Sequence, residues 1–416
     1  MNDLSLSPSA TGLGQIKSGS GTYHRANLAF FAAGFVTFVT LYDMQPLLPE
    51  FAREFRVSPA LSSLPLSVAT ATLSIAMLFA GTLSETLGRK QVMTAALFLS
   101  SLLTMLTSVC HDFGALLGLR LLQGAVLAGL PAVAMAYLSE EMETSALGAA
   151  MGLYISGNAV GGMAGRLYTA AATDLWNWQS ALASIGVFCL ALSCFFVKSL
   201  PPSHLRKRPF EFRYLFSSLA RHLGDPLLLC LYGIAFMVMG SFVTLFNYLT
   251  FRLLAPPHGL SQSQVSLVFL VYLLGSLSAS LAGRMVNRFG RRAIIRVSLL
   301  AMAAGVLVTL AGSLLGIVSG VGIFTIGFFG VHSVASSWVG RRASTAKAQA
   351  SALYLFFYYL GSSISGTAGG IFWLHWGWWG VVGLIVLLVL LAMILLVPLS
   401  RLQGRGGAGA EKCSPI

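Results

Sequence analysis

Of the thirteen acidic side chains in the 416 residues, only Asp43 falls well inside an apolar run, in FVTLYDMQPLLPEF (Phe38–Phe51). If that run crosses a bilayer, a charge at its centre costs about 2.5–3.5 kcal/mol on insertion scales. An unpaired carboxyl at that depth takes up a proton, because burial disfavours its charged form. A group that binds and releases a proton as its access alternates is what proton coupling requires. The other readings are a fixed ion pair, or an acid near enough the outer boundary to stay hydrated, where Pro46 and Pro49 would place it. Two bases, Arg120 and Arg166, also fall within apolar runs. Arg166, nearer the end of its run, either snorkels to the interface or attracts an anion, and snorkelling is slightly the simpler reading.

Other polar groups sit at similar depth. Gln45, Asn158, Asn247 and Tyr248 are four of them, with His332, Tyr354 and Tyr358 in later runs. Lipid cannot satisfy such groups, so they face a bundle interior. Each either lines a cavity or makes an interhelical hydrogen bond. His332 is the only histidine well inside a run and titrates in a useful range, although a lone histidine is more often structural. The aromatics around Tyr358 can stack planar molecules or simply pack helices.

These residues need elements to hold them. The chain is 56% hydrophobic and 9% charged, where a soluble domain carries roughly 25% charged residues. The missing solvent is lipid. Apolar runs of spanning length fall near 26–51, 62–84, 91–110, 113–138, 147–171 and 178–199, then 226–251, 263–286, 293–312, 315–339, 348–372 and 379–400. An all-α membrane protein of twelve transmembrane helices in two six-helix pseudo-repeat bundles follows. Its parts are a disordered cytoplasmic tail over 1–24, bundles over 25–200 and 226–401, a cytoplasmic linker over 201–225 and a second tail over 402–416. No signal peptide is expected, since the first apolar run comes late and is long enough to span.

The net charge of +13 is a matter of topology rather than of nucleic-acid binding. Lys and Arg crowd the connections on one side, and only Arg53, Arg56 and Arg252 fall on the other. By the positive-inside rule both termini are cytoplasmic. The five cysteines have no metal-ligand spacing, so no metal and no disulfide are expected. The halves also repeat. GTLSETLGRK (Gly81–Lys90) returns as GRMVNRFGRR (Gly283–Arg292), and Leu153–Tyr154, Gly161, Trp176 and Trp178 return as Leu353–Tyr354, Gly361, Trp376 and Trp378. Duplication with a site between the halves is the plan of a secondary transporter.

The repeated G-x-x-x-[DE]-x-x-G-R-[KR] loop resembles the signature of the major facilitator superfamily. RLLQGAVLAG (Arg120–Gly129) is similar to its second motif, and GNAVGG (Gly157, Gly161 and Gly162) to its antiporter motif, with Asn158 where proline is usual. SGNAVGGMAGR (Ser156–Arg166), GSFVTLFNY (Gly240–Tyr248), HSVASSW (His332–Trp338) and LYLFFYYLGSS (Leu353–Ser363) resemble the YnfM, or acriflavine-sensitivity, group of bacterial exporters. The resemblance implies a drug/proton antiporter of the bacterial inner membrane. It would work as a monomer on a small-molecule substrate and protons, with no cofactor beyond the proton gradient. It also places the fourth span beside the first at the central cavity, making Arg120 the partner that holds Asp43 ionised when close. The alternative for Arg120 is an anchor to backbone carbonyls and Gln123.

Gly81, Glu85, Gly88, Arg89 and Lys90 are expected as a conformational latch. The eleventh span begins near Ala348, and its positive dipole end would attract the Glu85 carboxylate. Glycines permit close backbone approach there. In the second copy, Gly283, Gly290 and Arg291 match, but Asn287 replaces the acid. Two other functional classes fit the sequence less well. A symporter or small-metabolite exporter shares the fold, whereas a membrane enzyme or sensor would show a catalytic cluster. The nearest is Glu140, Glu141 and Glu143, which reads as a solvated face. No phosphate loop of the GxxxxGK[ST] type is present, so ATP-driven transport is disfavoured.

Overall fold

The computed structural model describes residues 16–203 and 212–407. Among them the secondary structure is helical apart from one isolated bridge, Ile16 to Met142. The helices used below are α1 (Gly21–Tyr42), α2 (Leu48–Glu54), α3 (Leu64–Leu87), α4 (Arg89–Thr107), α5 (Phe113–Leu127), α6 (Pro131–Glu141), α7 (Thr144–Leu175) and α8 (Trp178–Ser199). After these come α9 (Phe212–Leu223), α10 (Pro226–Leu254), α11 (Tyr272–Phe289), α12 (Arg291–Val308), α13 (Leu314–Arg342) and α14 (Lys347–Gly407).

Their starts follow local chemistry. Asp112, Asn177, Asp225 and Ser313 each accept a backbone N–H from the first turn of the helix they precede, satisfying donors a helix start leaves unpaired. Two matching glycines end α3 and α11. Gly88 and Gly290 have φ of 108° and 81°, conformations only glycine enters cheaply.

Nine helical stretches of the described residues are long and apolar enough to cross a membrane. The last, Lys347–Leu399, is two crossings joined at Gly377, where φ is 57°. The remaining two crossings are α7, rich in small residues, and α12, whose first turns carry Arg291, Arg292 and Arg296. The twelve-helix expectation is thereby accommodated. Helix α1 begins at Gly21, inside the stretch expected as a tail, and α9 lies within the expected linker. Residues 1–15, 204–211 and 408–416 of the expected tails and linker lie outside the described residues.

The first span is broken. Helix α1 stops at Tyr42, a 3₁₀ turn covers Gln45–Leu47, and α2 resumes the direction. Pro46 has no N–H to give and Pro49 opens the second segment, so carbonyls before the break lose helical donors. That break positions Asp43.

Small residues set the helix–helix distances. A Cβ on Gly161 would meet the Phe35 carbonyl of α1 at 2.3 Å, and one on Gly361 the Phe236 carbonyl of α10 at 2.1 Å. The first and fifth spans, and the seventh and eleventh, therefore touch backbone to backbone. Hydrogen bonds joining the two sets of six gather at the end of the bundle away from the 200–225 connection, called the far end here. Ser363 Oγ donates to the Ser67 carbonyl, Thr367 Oγ1 to Ser67 Oγ at 2.8 Å, and Ser263 N–H and Oγ to Asp174 Oδ2 at 2.7 and 2.5 Å.

Candidate functional site: a buried charge pair and its surroundings

Asp43 and Arg120 are both fully buried, with Asp43 Oδ1 3.5 Å from Arg120 Nη1. That contact is the longest Arg120 makes. Its guanidinium also donates to the carbonyls of Thr40 (2.9 Å), Leu41 (2.8 Å) and Pro65 (3.1 Å) and to Gln123 Oε1 (2.5 Å). The first two carbonyls are those exposed by the break after Tyr42. Gln123 in turn donates through Nε2 to Thr104 Oγ1 (2.7 Å) and the Ser100 carbonyl (3.2 Å). The arginine is thus held by backbone dipoles with the carboxylate beside it, so pairing and anchoring are both present. Asp43 Oδ2 has no hydrogen-bond partner among the described residues. A carboxyl with one loosely held oxygen and one unpaired oxygen can accept a proton without dismantling the arginine's attachment.

Gln45 lies just past the break and bridges the halves. Its Nε2 donates to Asn247 Oδ1 of α10 at 2.7 Å, and its Oε1 accepts from Arg166 Nε of α7 at 2.6 Å. Arg166 does not snorkel. It is 2% exposed, and its guanidinium carbon lies 4.1 Å from the ring centre of Tyr42 and 5.1 Å from those of Phe269 and Tyr272. The preference for an interfacial arginine is corrected here. Rings from both halves and two acceptors, Gln45 Oε1 and the Gly162 carbonyl, surround it, so the inward direction offers stacking and hydrogen bonds.

The remaining polar positions divide. His332 Nδ1 lies 3.1 Å from the Tyr354 hydroxyl, its ring is parallel to Phe328, and Tyr358 stands 4.7 Å away between ring centres. His332 and Tyr358 are half-buried and Tyr354 and Phe328 buried, and together they form one aromatic cluster on α13 and α14. Tyr248, by contrast, donates its hydroxyl to the Gly366 carbonyl at 2.7 Å and ties α10 to α14. Asn158 packs over Gly34 of α1, within the first half. Gly157 serves the same contact, since a Cβ there would meet the Phe31 carbonyl at 2.3 Å, whereas one on Gly162 would meet the Arg166 guanidinium of its own helix at 3.2 Å.

At the other end, Arg89 is buried and makes a two-point contact with Glu140, 2.5 Å from each oxygen, plus a bond to Ser84 Oγ at 2.9 Å. Glu85 is 3.8 Å from the same guanidinium, and among the described residues no ion pair joins it to α14. Lys90 donates to the Leu200 carbonyl. In the second copy, Arg291 lies over the ring of Trp338, 5.7 Å from its centre; Gly81 and Gly283 have open space where a Cβ would stand. Glu140 was missed as a partner. Helix α6 ends, and α4 begins, at the same face of the bundle, which was the signal that could have found it. The reading of the three glutamates as a solvated face fails for two of them, since Glu140 pairs with Arg89 and Glu141 is buried and accepts from Ser203.

Comparisons with known proteins agree with this architecture. A family model described as Major Facilitator Superfamily matches residues 27–255 and again 228–412. The uncharacterized MFS-type transporter YybF of Bacillus subtilis is 48% identical over 86% of this chain and 89% of its own length. The inner membrane transport protein YnfM of Escherichia coli is 47% identical over 86% of each. More distantly, the chloramphenicol resistance protein CraA of Acinetobacter baumannii is 26% identical over 56% of each. Among solved structures, a bacterial homologue of the human lysosomal transporter Spinster, inward-facing and unoccupied, superposes with a TM-score of 0.76. It covers 92% of this chain and 98% of that one at 14% identity, a likeness of fold. The chain belongs to the major facilitator superfamily, in its YnfM group, and is a multi-pass membrane transporter.

Proposed function

We propose that the protein exports small amphiphilic molecules in exchange for protons, by alternating access between its two six-helix halves. The observation that carries this reading is the Asp43–Arg120 arrangement. A fully buried carboxyl sits at a break in the first span, 3.5 Å from a guanidinium whose stronger bonds go elsewhere. An approaching proton neutralises Asp43, and Arg120 keeps its carbonyl partners. A rigid-body movement of one half then changes which end the pair can reach. His332 and Tyr358, the half-buried members of the aromatic cluster, offer a wall for the apolar part of a substrate. The similarity to a chloramphenicol resistance protein supports drug-like cargo.

Both termini and the 200–225 connection are placed in the cytoplasm, with the chain in the bacterial inner membrane. This follows from the crowding of Lys and Arg at that end. The far end is then the outer one, and its cross-half hydrogen bonds mark a conformation closed outside. The Glu85–Arg89–Glu140 cluster is the inner latch in its parted state. The test is proton release in proteoliposomes on addition of substrate, with wild type and Asp43→Asn compared. Wild type is expected to release protons and the variant to release none. Gradient-driven transport that survives in Asp43→Asn would sink the mechanism, and proton movement in the same direction as substrate would make the protein a symporter.

A further inference from the structure

Arg166 is a buried cation without an acid. Arg120 has Asp43 and Arg89 has Glu140, but among the described residues no carboxylate lies within ion-pair distance of Arg166. An arginine cannot discharge to escape burial, so the site holds a permanent positive charge stabilised by three aromatic faces, Gln45 Oε1 and the Gly162 carbonyl. Two donors near it lack acceptors. Asn247 Nδ2, one amide away through Gln45, and the hydroxyl of Tyr272, whose ring faces the guanidinium, have no hydrogen-bond partner among the described residues. The Tyr272 hydroxyl is thus an unpaired donor from the second half beside a cation of the first, whereas Asn247 Nδ2 lies against the Gly366 position of α14. The deep charges of the first half add to the imbalance, two arginines against one carboxyl, and it grows when Asp43 takes up a proton. A cationic substrate would meet repulsion here and an anionic one would complete the site.

We infer that the transported molecule carries a carboxylate, and that Arg166, with Tyr272, binds it in the place Gln45 Oε1 fills while the far end is closed. This rests on the export reading above and narrows its substrate to organic anions. A planar carboxylate suits a guanidinium because two oxygens can accept from it at once. The adjoining aromatic rings suit an apolar body attached to that carboxylate.

The test uses the full chain in lipid nanodiscs and three probes of matched shape: 1-naphthoate, 1-naphthamide and 1-naphthylmethylammonium. Equilibrium dialysis is expected to show naphthoate binding best. Arg166→Gln should weaken it by about tenfold or more, the loss of one charged hydrogen-bonding pair, and Arg166→Lys by less, while amide binding barely changes. Preference for the ammonium probe, absence of naphthoate binding, or equal naphthoate binding by Arg166→Gln overturns the inference. If Arg166→Gln does not fold, the wild-type ranking and Arg166→Lys decide it. Proton release is scored separately on the same preparations. Cation binding with proton release intact defeats the anion assignment alone, and naphthoate binding without proton release defeats the coupling reading alone.

Discussion

The two halves share a scaffold and differ in what they place inside it. Gly161 on the Phe35 carbonyl and Gly361 on the Phe236 carbonyl are the same contact made twice. Counting from that match, Thr244 stands where Asp43 does, and its hydroxyl only bonds the Ser365 carbonyl. Val321 stands where Arg120 does, counting from the starts of α5 and α13, and it is wholly buried among apolar neighbours. Gly366 takes the place of Arg166. The apolar core records the consequence. In the first half it is split into a cluster around Phe30 and Tyr137 and another around Phe51 and Trp178. Between them lies the polar layer of Asp43, Arg120, Gln123, Ser100 and Thr104. The cluster of the second half runs continuously and extends into the first through Leu41, Tyr42, Leu66, Leu73 and Leu127. Duplication preserved the backbone contacts, and specialisation put charge in one copy and aromatic surface in the other.

The sharpest way to break this division is to remove the charge from the first half. Asp43→Asn is expected to reduce substrate-driven proton release to the level of empty vesicles, while Thr244→Val, at the matching position, leaves it intact. Equal losses from the two would end the claim that coupling belongs to one half. Next comes Arg120→Ala, which strands a buried carboxylate and should cost about 3–5 kcal/mol, read as thermal unfolding in detergent. Adding Asp43→Asn should recover part of that loss. The recovery stays incomplete because the Thr40, Leu41 and Pro65 carbonyls still lack their donor. A double variant no more stable than the single one would show the pair to be energetically uncoupled.

The charge pair was legible in advance because a charge inside an apolar run is rare and costly, and a deep acid needs a partner. The repeat was legible because landmarks recurred at one offset. The rotation of each helix about its axis was less so. Polar residues at bilayer depth all point inward, yet inward means the neighbouring helix for Asn158 and Tyr248 and the space between halves for Gln45 and Asn247. Arg166 shows the same limit: position along the run suggests the interface, and only the folded contacts with Tyr42, Gln45, Phe269 and Tyr272 turn it inward. The break at Asp43 was hinted at by Pro46 and Pro49, but its product, two carbonyls for Arg120, is a three-dimensional fact.

The shared scaffold makes a smaller and symmetrical prediction. Gly161→Ala and Gly361→Ala each push a methyl against a backbone carbonyl and should each cost about 1–3 kcal/mol. Gly283→Ala, with open space at its Cβ, should cost nothing by crowding. A large difference between the first two would mean the repeats do not pack alike.

The smallest effect is expected on the aromatic side. His332→Phe keeps a ring against Phe328 and Tyr358 and loses only the Tyr354 bond. That bond joins two groups of the protein and contributes about 0.5–1.5 kcal/mol, so the variant should lose about that much stability. KM for substrate should rise only through the altered wall, by about tenfold at most. The number of protons moved per substrate should not change, because no step of the Asp43–Arg120 exchange passes through this wall. Measuring both quantities in the same vesicles separates the two halves' tasks. A changed proton count in His332→Phe would mean that the second half takes part in coupling, and the division of labour between the copies would have to be redrawn.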